Sequence, residues 1–213
     1  GEGLGGDYLV VGECIPGGTT TAMAVLLALG IDARGRMSSS LRENPTDIKA
    51  RVVEKALEGR GVAVGGLREA PFKALELFGD PVIAAIAGVA AGYRGPVLLA
   101  GGTQMAAVAA VLAALGEGLG SLGIGTTGWL VRDPSSDLRG IVEEIASLPV
   151  LAADLDFSAS GIPALRCYEE GFFKEGTGAG GSAIAAIIKS RGEITPGDIL
   201  KRVEEYYRLL TGG

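Results

Sequence analysis

Parallel strands cannot be joined by a tight hairpin and need a crossover, usually a helix, between them. This chain carries that unit near its start. Tyr8 to Val11 is a short β-favouring run, Pro16-Gly17-Gly18 breaks it, and Thr19 to Leu29 follows as an apolar helix pattern that stops at Gly30. The unit then returns. Pro96 to Ala100 is a fully apolar run suited to a central parallel strand, followed by Gly101-Gly102-Thr103 and a helix from Gln104 to Leu115. Glycines at such junctions let backbone N–H groups approach a ligand, and the helix N-terminus adds partial positive charge, so an anion such as phosphate is the natural guest. Gly17, Gly18, Thr19 and Thr20 are candidate contacts for it. A tight turn with a threonine N-cap accounts for the same residues without a ligand.

The 213 residues are 47% apolar with a mean hydropathy of +0.35, enough for one large α/β domain with an extensive core. The 36 glycines have no three-residue period, which excludes collagen and points to tight turns and close backbone approaches. A net charge of -6 with no basic block argues against nucleic acid or an anionic membrane as the main partner. With no histidine, the commonest acid/base group and metal ligand is absent, and carboxylates are the remaining candidates for proton transfer. Cys14 and Cys167 are too few for a disulfide framework or a structural zinc site, so a reduced, cytoplasmic protein is expected, with one disulfide left open. No basic-then-apolar leader opens the chain, and Gly1 in place of methionine reads as a processed or truncated start.

Gly30 to Pro45 reads as a polar excursion through Ser38-Ser39-Ser40, within reach of a ligand. Thr46-Asp47 open an amphipathic helix to Gly59, with Ile48, Val52, Ala56 and Leu57 on one side and Lys49, Arg51, Glu54 and Lys55 mostly elsewhere. Val62 to Val64 reads as a short strand. Phe72 to Phe78 and a segment starting at Pro81 read as helices separated by Gly79-Asp80. Between Gly95 and Val131 the only charge is Glu117, but glycines cut the run, and β-α-β fits better than a membrane span. Ser121 to Val131 reads as a strand and loop, Leu138 to Leu148 as a helix, and Val150 to Leu155 as a strand. The turn Asp156 to Gly161 follows, and its Ser158 and Ser160 are candidate substrate contacts, since ligands collect at parallel strand ends. Ile162 to Glu170 reads as a short helix, Ala179 to Lys189 as a longer one, and Thr195-Pro196-Gly197-Asp198 as the capped start of a closing helix to Leu210.

No stretch matches the phosphate loop ending in Gly-Lys-Ser/Thr, and no glycine fingerprint has the strand–acid arrangement of a dinucleotide site. Two carboxylates stand out. Glu13 lies at a strand end before a glycine turn. Glu175 lies between Phe172-Phe173-Lys174 and Gly176-Thr177-Gly178, where desolvation by the phenylalanines would raise its pKa and suit a general base. An ordinary helix-entry acid is the simpler reading of the same residue.

Glu13 through Thr21, the Lys49 to Leu57 helix, Leu75 through Ile86, the Pro96 strand and Glu175-Gly176-Thr177-Gly178-Ala179 occur in an order that resembles the nicotinate-nucleotide:dimethylbenzimidazole phosphoribosyltransferases, in particular their archaeal branch. The likeness runs from Tyr8 to Lys189. It leaves unmatched the N-terminal segments with which family members complete a small helical domain and help form the base pocket. The resemblance implies transfer of 5-phosphoribosyl from nicotinate mononucleotide to a benzimidazole-type base, giving α-ribazole phosphate and nicotinate for cobamide synthesis, with no metal or cofactor. It puts Glu175 at the catalytic glutamate, Glu13 at the acid opening the glycine-rich motif, Lys49 at the phosphate-contacting lysine, and Gly176, Thr177 and Gly178 at the substrate-binding turn. Ile15-Pro16-Gly17-Gly18 stands where bacterial members usually carry a Gly-Ile-Gly-Asn type turn, and Lys174 stands where glycine usually precedes the glutamate.

The expectation is a three-layer, Rossmann-like α/β domain with a mainly parallel sheet over residues 1–192, doubly wound so that several glycine turns meet at one edge. Residues 193–213 are expected to form a C-terminal helix belonging to a small helical subdomain. Alanine- and glycine-rich helix surfaces, together with the resemblance, suggest a homodimer. A non-catalytic nucleotide- or phosphate-binding protein of the same fold is the alternative.

Overall fold

The computed structural model describes residues 1–173 and 175–212. Strands β1 (Leu9–Gly12), β2 (Val97–Ala100), β3 (Leu122–Thr127) and β4 (Val150–Ala153) form one all-parallel sheet in the order β1-β2-β3-β4. Ten α-helices are described: α1 (Gly18–Leu29), α2 (Thr46–Gly59), α3 (Pro71–Phe78), α4 (Pro81–Gly92), α5 (Thr103–Ala114), α6 (Gly128–Val131), α7 (Leu138–Ile145), α8 (Pro163–Arg166), α9 (Ala183–Lys189) and α10 (Pro196–Thr211). A π-helical turn, Thr177–Ser182, leads into α9. The fold is a three-layer, Rossmann-like α/β arrangement.

Side chains alternate across the sheet as strand geometry requires. Leu9 and Val11, Val97 and Leu99, and Leu122 and Ile124 enter the larger core with α1 to α5 and α7. Val10, Leu98 and Ala153 face the other way, into a smaller core with Trp129, Phe157, Leu165 and Ile184. The strand order never reverses, which corrects the doubly wound expectation. Crossovers of one hand that always step in one direction put their helices on one face. The second face is covered by chain that follows the last strand, namely the π turn, α9 and α10.

Within the helical layer, α1 and α5 lie side by side beneath α2, α3, α4 and α7. Both are apolar around almost their whole circumference, as helices enclosed by other helices are. Met23, Leu26, Leu27, Met105, Val108 and Leu112 are at most 1% exposed. That enclosure explains the nearly uncharged run from Gly95 to Val131. No described helix is long and apolar enough to cross a membrane.

Two local readings change. Val62 to Val64 is not a strand: Gly65 and Leu67 donate their N–H groups to Leu27 O and Ala28 O, so the segment closes the C-terminal end of α1. On α2 the inward face is Lys49, Val53 and Leu57, while Ile48 and Val52 are 56% and 51% exposed. The closing helix has the expected capping box, with Thr195 Oγ1 accepting from Asp198 N and Asp198 Oδ2 accepting from Thr195 N. It lies on the smaller core through Ile199, Leu200 and Val203.

Glycine is required where the π turn crosses the sheet. A Cβ at Gly181 would lie 2.2 Å from Ala100 Cβ, and one at Gly180 would lie 2.6 Å from the Thr126 carbonyl carbon. Gly181→Ala is therefore expected to destabilise the protein by about 1–3 kcal/mol through overpacking. Gly88→Ala, in α4 with nothing within 4 Å of the added carbon, should instead gain up to about 1 kcal/mol from helix propensity. Urea unfolding of the two variants checks this: equal effects would show that the π turn does not pack as described.

Candidate functional site

A cleft of about 350 Å³ opens at the C-terminal ends of β1 and β2. Its walls come from the turn after β1, the serine segment 38–40, the start of α5, and the chain entering the π turn. Glu13, Gly17, Gly18, Thr19, Thr20, Lys49, Glu175, Gly176 and Thr177 all line it.

Glu13 leaves β1 beside Gly12, where a Cβ would lie 2.4 Å from Ala100 O and 2.6 Å from Thr177 Cγ2. Thr177 Oγ1 lies 2.6 Å from Glu13 O and 3.1 Å from Ala100 O, so one hydroxyl ties the π turn to the ends of β1 and β2. The Glu13 carboxylate accepts Ile15 N at 2.6 Å. Burial pushes its pKa up, the Ile15 N–H opposes this, and the negative charges of Asp80 and Glu175 add to the rise.

Glu175 faces the same cleft. Its Oε1 accepts from Thr177 N and Gly178 N, and its Oε2 accepts Ala179 N at 2.8 Å, so it caps the π turn. Gly178 thus serves the site through its backbone. A carboxylate offers about four accepting positions, which among the described residues leaves one on Oε2. Phe172 and Phe173 do not supply the expected enclosure: Phe173 is 54% exposed and lies 6.0 Å, centroid to centroid, from the Tyr168 ring. Phe173 also has φ of 52°, a left-handed conformation unusual for a bulky residue, and its N–H is held by Ser40 O. The Lys174 departure lies outside the described residues.

The same cleft also carries groups that suit an anion. The N-cap of α1 is Gly17 and that of α5 is Gly102, and neither helix start receives a side-chain cap. The threonine cap expected at α1 is absent because Gly17 takes the cap position in a left-handed conformation, φ 80°. Thr19 and Thr20 line the cleft, while Thr21 Oγ1 bonds Gly18 O and Asp80 Oδ2. Lys49 is 8% exposed, with Nζ donating to Ser38 O at 2.6 Å and Asn44 Oδ1 at 3.0 Å. It is a buried cation at the cleft wall, and it positions the serine segment. Arg36 holds the same segment from outside through Asp137 and Glu144.

Ser158 and Ser160 are not in the cleft. Ser160 Oγ donates to Glu204 Oε1 at 2.6 Å, fastening α10, and Ser158 N caps onto Asp156 Oδ1. Their turn follows β4, the edge strand three places from β1, or about 14 Å at ordinary strand spacing. Cys14 and Cys167 are both free thiols, Cys14 being exposed in the cleft wall. The repeat of the strand–glycine–helix unit pointed to Gly102, while Gln104, which also lines the cleft, was missed.

An α/β protein with a two-signed cleft at the carboxyl edge of a parallel sheet is the class that this geometry defines. No family model matches the chain. It is 46% identical over 202 residues to the UPF0284 protein of Methanopyrus kandleri, covering 94% of this chain and 53% of that protein. It is 46% identical over 209 residues to the UPF0284 protein of Pyrococcus furiosus, covering 98% and 61%. With the UPF0284 protein of Sulfolobus acidocaldarius the identity is 45% over 205 residues, covering 96% and 57%. The chain therefore spans between about half and three-fifths of the length of these archaeal relatives.

The raised pKa of Glu13 fixes the sign of a stability effect. A carboxyl group with a higher pKa folded than unfolded contributes stability below its unfolded value, near 4.5, and loses it as pH rises through the folded value. Glu13→Gln, whose amide oxygen can still accept Ile15 N, should accordingly melt higher than the parent protein at pH 7. At pH 4 the difference should shrink. A gain that grows toward acid would mean that Glu13 is instead stabilised as the anion.

Proposed function

We propose that the cleft transfers a 5-phosphoribosyl group from nicotinate mononucleotide to an aromatic base of the benzimidazole type, yielding α-ribazole phosphate and nicotinate. The observation that carries this reading is the meeting of Glu13 and Glu175 in one cleft with threonine and serine hydroxyls, two glycine-capped helix starts and the buried Lys49. A phosphate suits the helix starts and the cation, which lower the energy of an anion. A ribosyl carbon that becomes electron-poor in the transition state suits the carboxylates.

In the reaction the bond between the anomeric carbon and the nicotinate nitrogen breaks, and its electron pair stays on nicotinate. A ring nitrogen of the acceptor supplies the electron pair of the new C–N bond. The acceptor's other nitrogen loses its proton to Glu175 Oε2, at the accepting position that the π turn leaves open. Glu13 faces the ribose and balances its developing positive charge. Lys49 acts on the phosphate side, holding the Ser38 to Ser40 wall through the Ser38 carbonyl. The rigid sheet edge keeps donor and acceptor in line. Two copies of the chain are expected to associate in the same reading, a point that light scattering settles.

Assaying the full-length protein with nicotinate mononucleotide and dimethylbenzimidazole tests the proposal. Glu175→Gln should lower turnover by about 10²–10⁴-fold with nucleotide binding retained. Because the amide also faces the N–H groups of the π turn, the melting temperature is measured alongside. Loss of binding and of stability together would reduce Glu175 to a cap. Nucleotide binding with no transfer in the parent protein would favour a non-catalytic binding role.

A further inference from the structure

Gln104 is the polar exception in an apolar helix. From Thr103 to Leu112 every other residue of α5 is buried, whereas Gln104 is partly exposed and lines the cleft. Among the described residues its carboxamide makes no hydrogen bond, so a group with two donor hydrogens and an accepting oxygen stands unused at the site. It sits between the two helix starts. A Cβ on Gly18 would come within 3.3 Å of Gln104 Nε2, and one on Gly102 within 3.5 Å of Gln104 Oε1. Glu13 and Ile15 adjoin it on one side, together lining a small recess under the cleft. On the other side Gly102 borders Ser38.

We infer that Gln104 reads the vicinal diol of a ribosyl phosphate, a role that rests on the transfer reading for its choice of substrate. Gln104 adjoins the two helix starts, which suit the phosphate, and shares a recess with Glu13, which suits the anomeric end. The sugar of a ribosyl phosphate spans that interval. A neutral carboxamide matches a diol because it donates to one hydroxyl and accepts from its neighbour, whereas a cation there would pull the phosphate inward. The two glycines have a second purpose in this arrangement: a side chain at either would press on the amide. Gln104 is then a specificity-determining residue for ribosyl over deoxyribosyl donors.

The test measures binding by calorimetry with three probes: nicotinate mononucleotide, its 2′,3′-dideoxy analogue and ribose 5-phosphate. The parent protein should bind the dideoxy analogue about 10–100-fold more weakly than nicotinate mononucleotide, the worth of two hydrogen bonds. Gln104→Leu, checked for an unchanged melting temperature, should lose the same factor for the two diol ligands and nothing for the dideoxy analogue. Equal affinities of the parent for the diol and dideoxy ligands overturn the assignment without need of any variant, as does a uniform loss across all three probes in Gln104→Leu. Diol-dependent binding without any transfer would leave Gln104 its role and remove only the transferase reading. Transfer without diol dependence would do the reverse. A parent protein that binds none of the probes overturns both.

Discussion

The structure depends on one close approach, the crossing of the π turn over the carboxyl ends of the strands. Ala100, Gly101, Gly125 and Thr126 meet Gly176, Gly180 and Gly181 at distances that leave no room for side chains on those three glycines. Once this contact forms, Thr177 Oγ1 reaches the carbonyls of Glu13 and Ala100, and the backbone N–H groups of the turn converge on Glu175. A π turn is rare and tends to mark functional positions. Here its wider winding lets several successive N–H groups point at one carboxylate while the glycines behind them lie flat on the sheet.

That contact also sets the electrostatics. It brings a second negative charge toward Glu13, which burial already disfavours as an anion, and Asp80 adds a third from the start of α4. In the same cleft lie the starts of α1 and α5, whose glycine caps place no carboxylate or hydroxyl of their own over the backbone N–H groups. The cleft therefore holds both carboxylates and anion-favouring helix starts.

Much of this was legible in the sequence, for definite reasons. Short apolar runs ending in glycine marked β1 and β2, and Thr195-Pro196-Gly197-Asp198 marked the cap of α10, because these signals are local. What failed needed spatial order. Ser158 and Ser160 follow a strand end as Thr19 and Thr20 do, but β4 lies at the opposite edge of the sheet, and nothing local ranks one strand beside another. On α2 apolar content points to Ile48, Val52, Ala56 and Leu57 as the inward side, yet of these the structure buries Leu57, together with Val53 and Lys49, whose stem packs inward while its ammonium meets Ser38 O and Asn44 Oδ1.

The unreversed strand order decides how such a site can be built. In a doubly wound sheet the crevice appears where neighbouring crossovers part to opposite faces. This sheet has no such point, since its crossovers all leave toward the larger core. A cleft at its edge has to be closed from the other face by chain that arrives after the last strand, and the π turn does that. Glu13 consequently comes from the first strand and Glu175 from beyond the fourth. The two carboxylates cannot meet until every strand between them is in place, so the acidic half of the site belongs to the completed fold and to no smaller part of it.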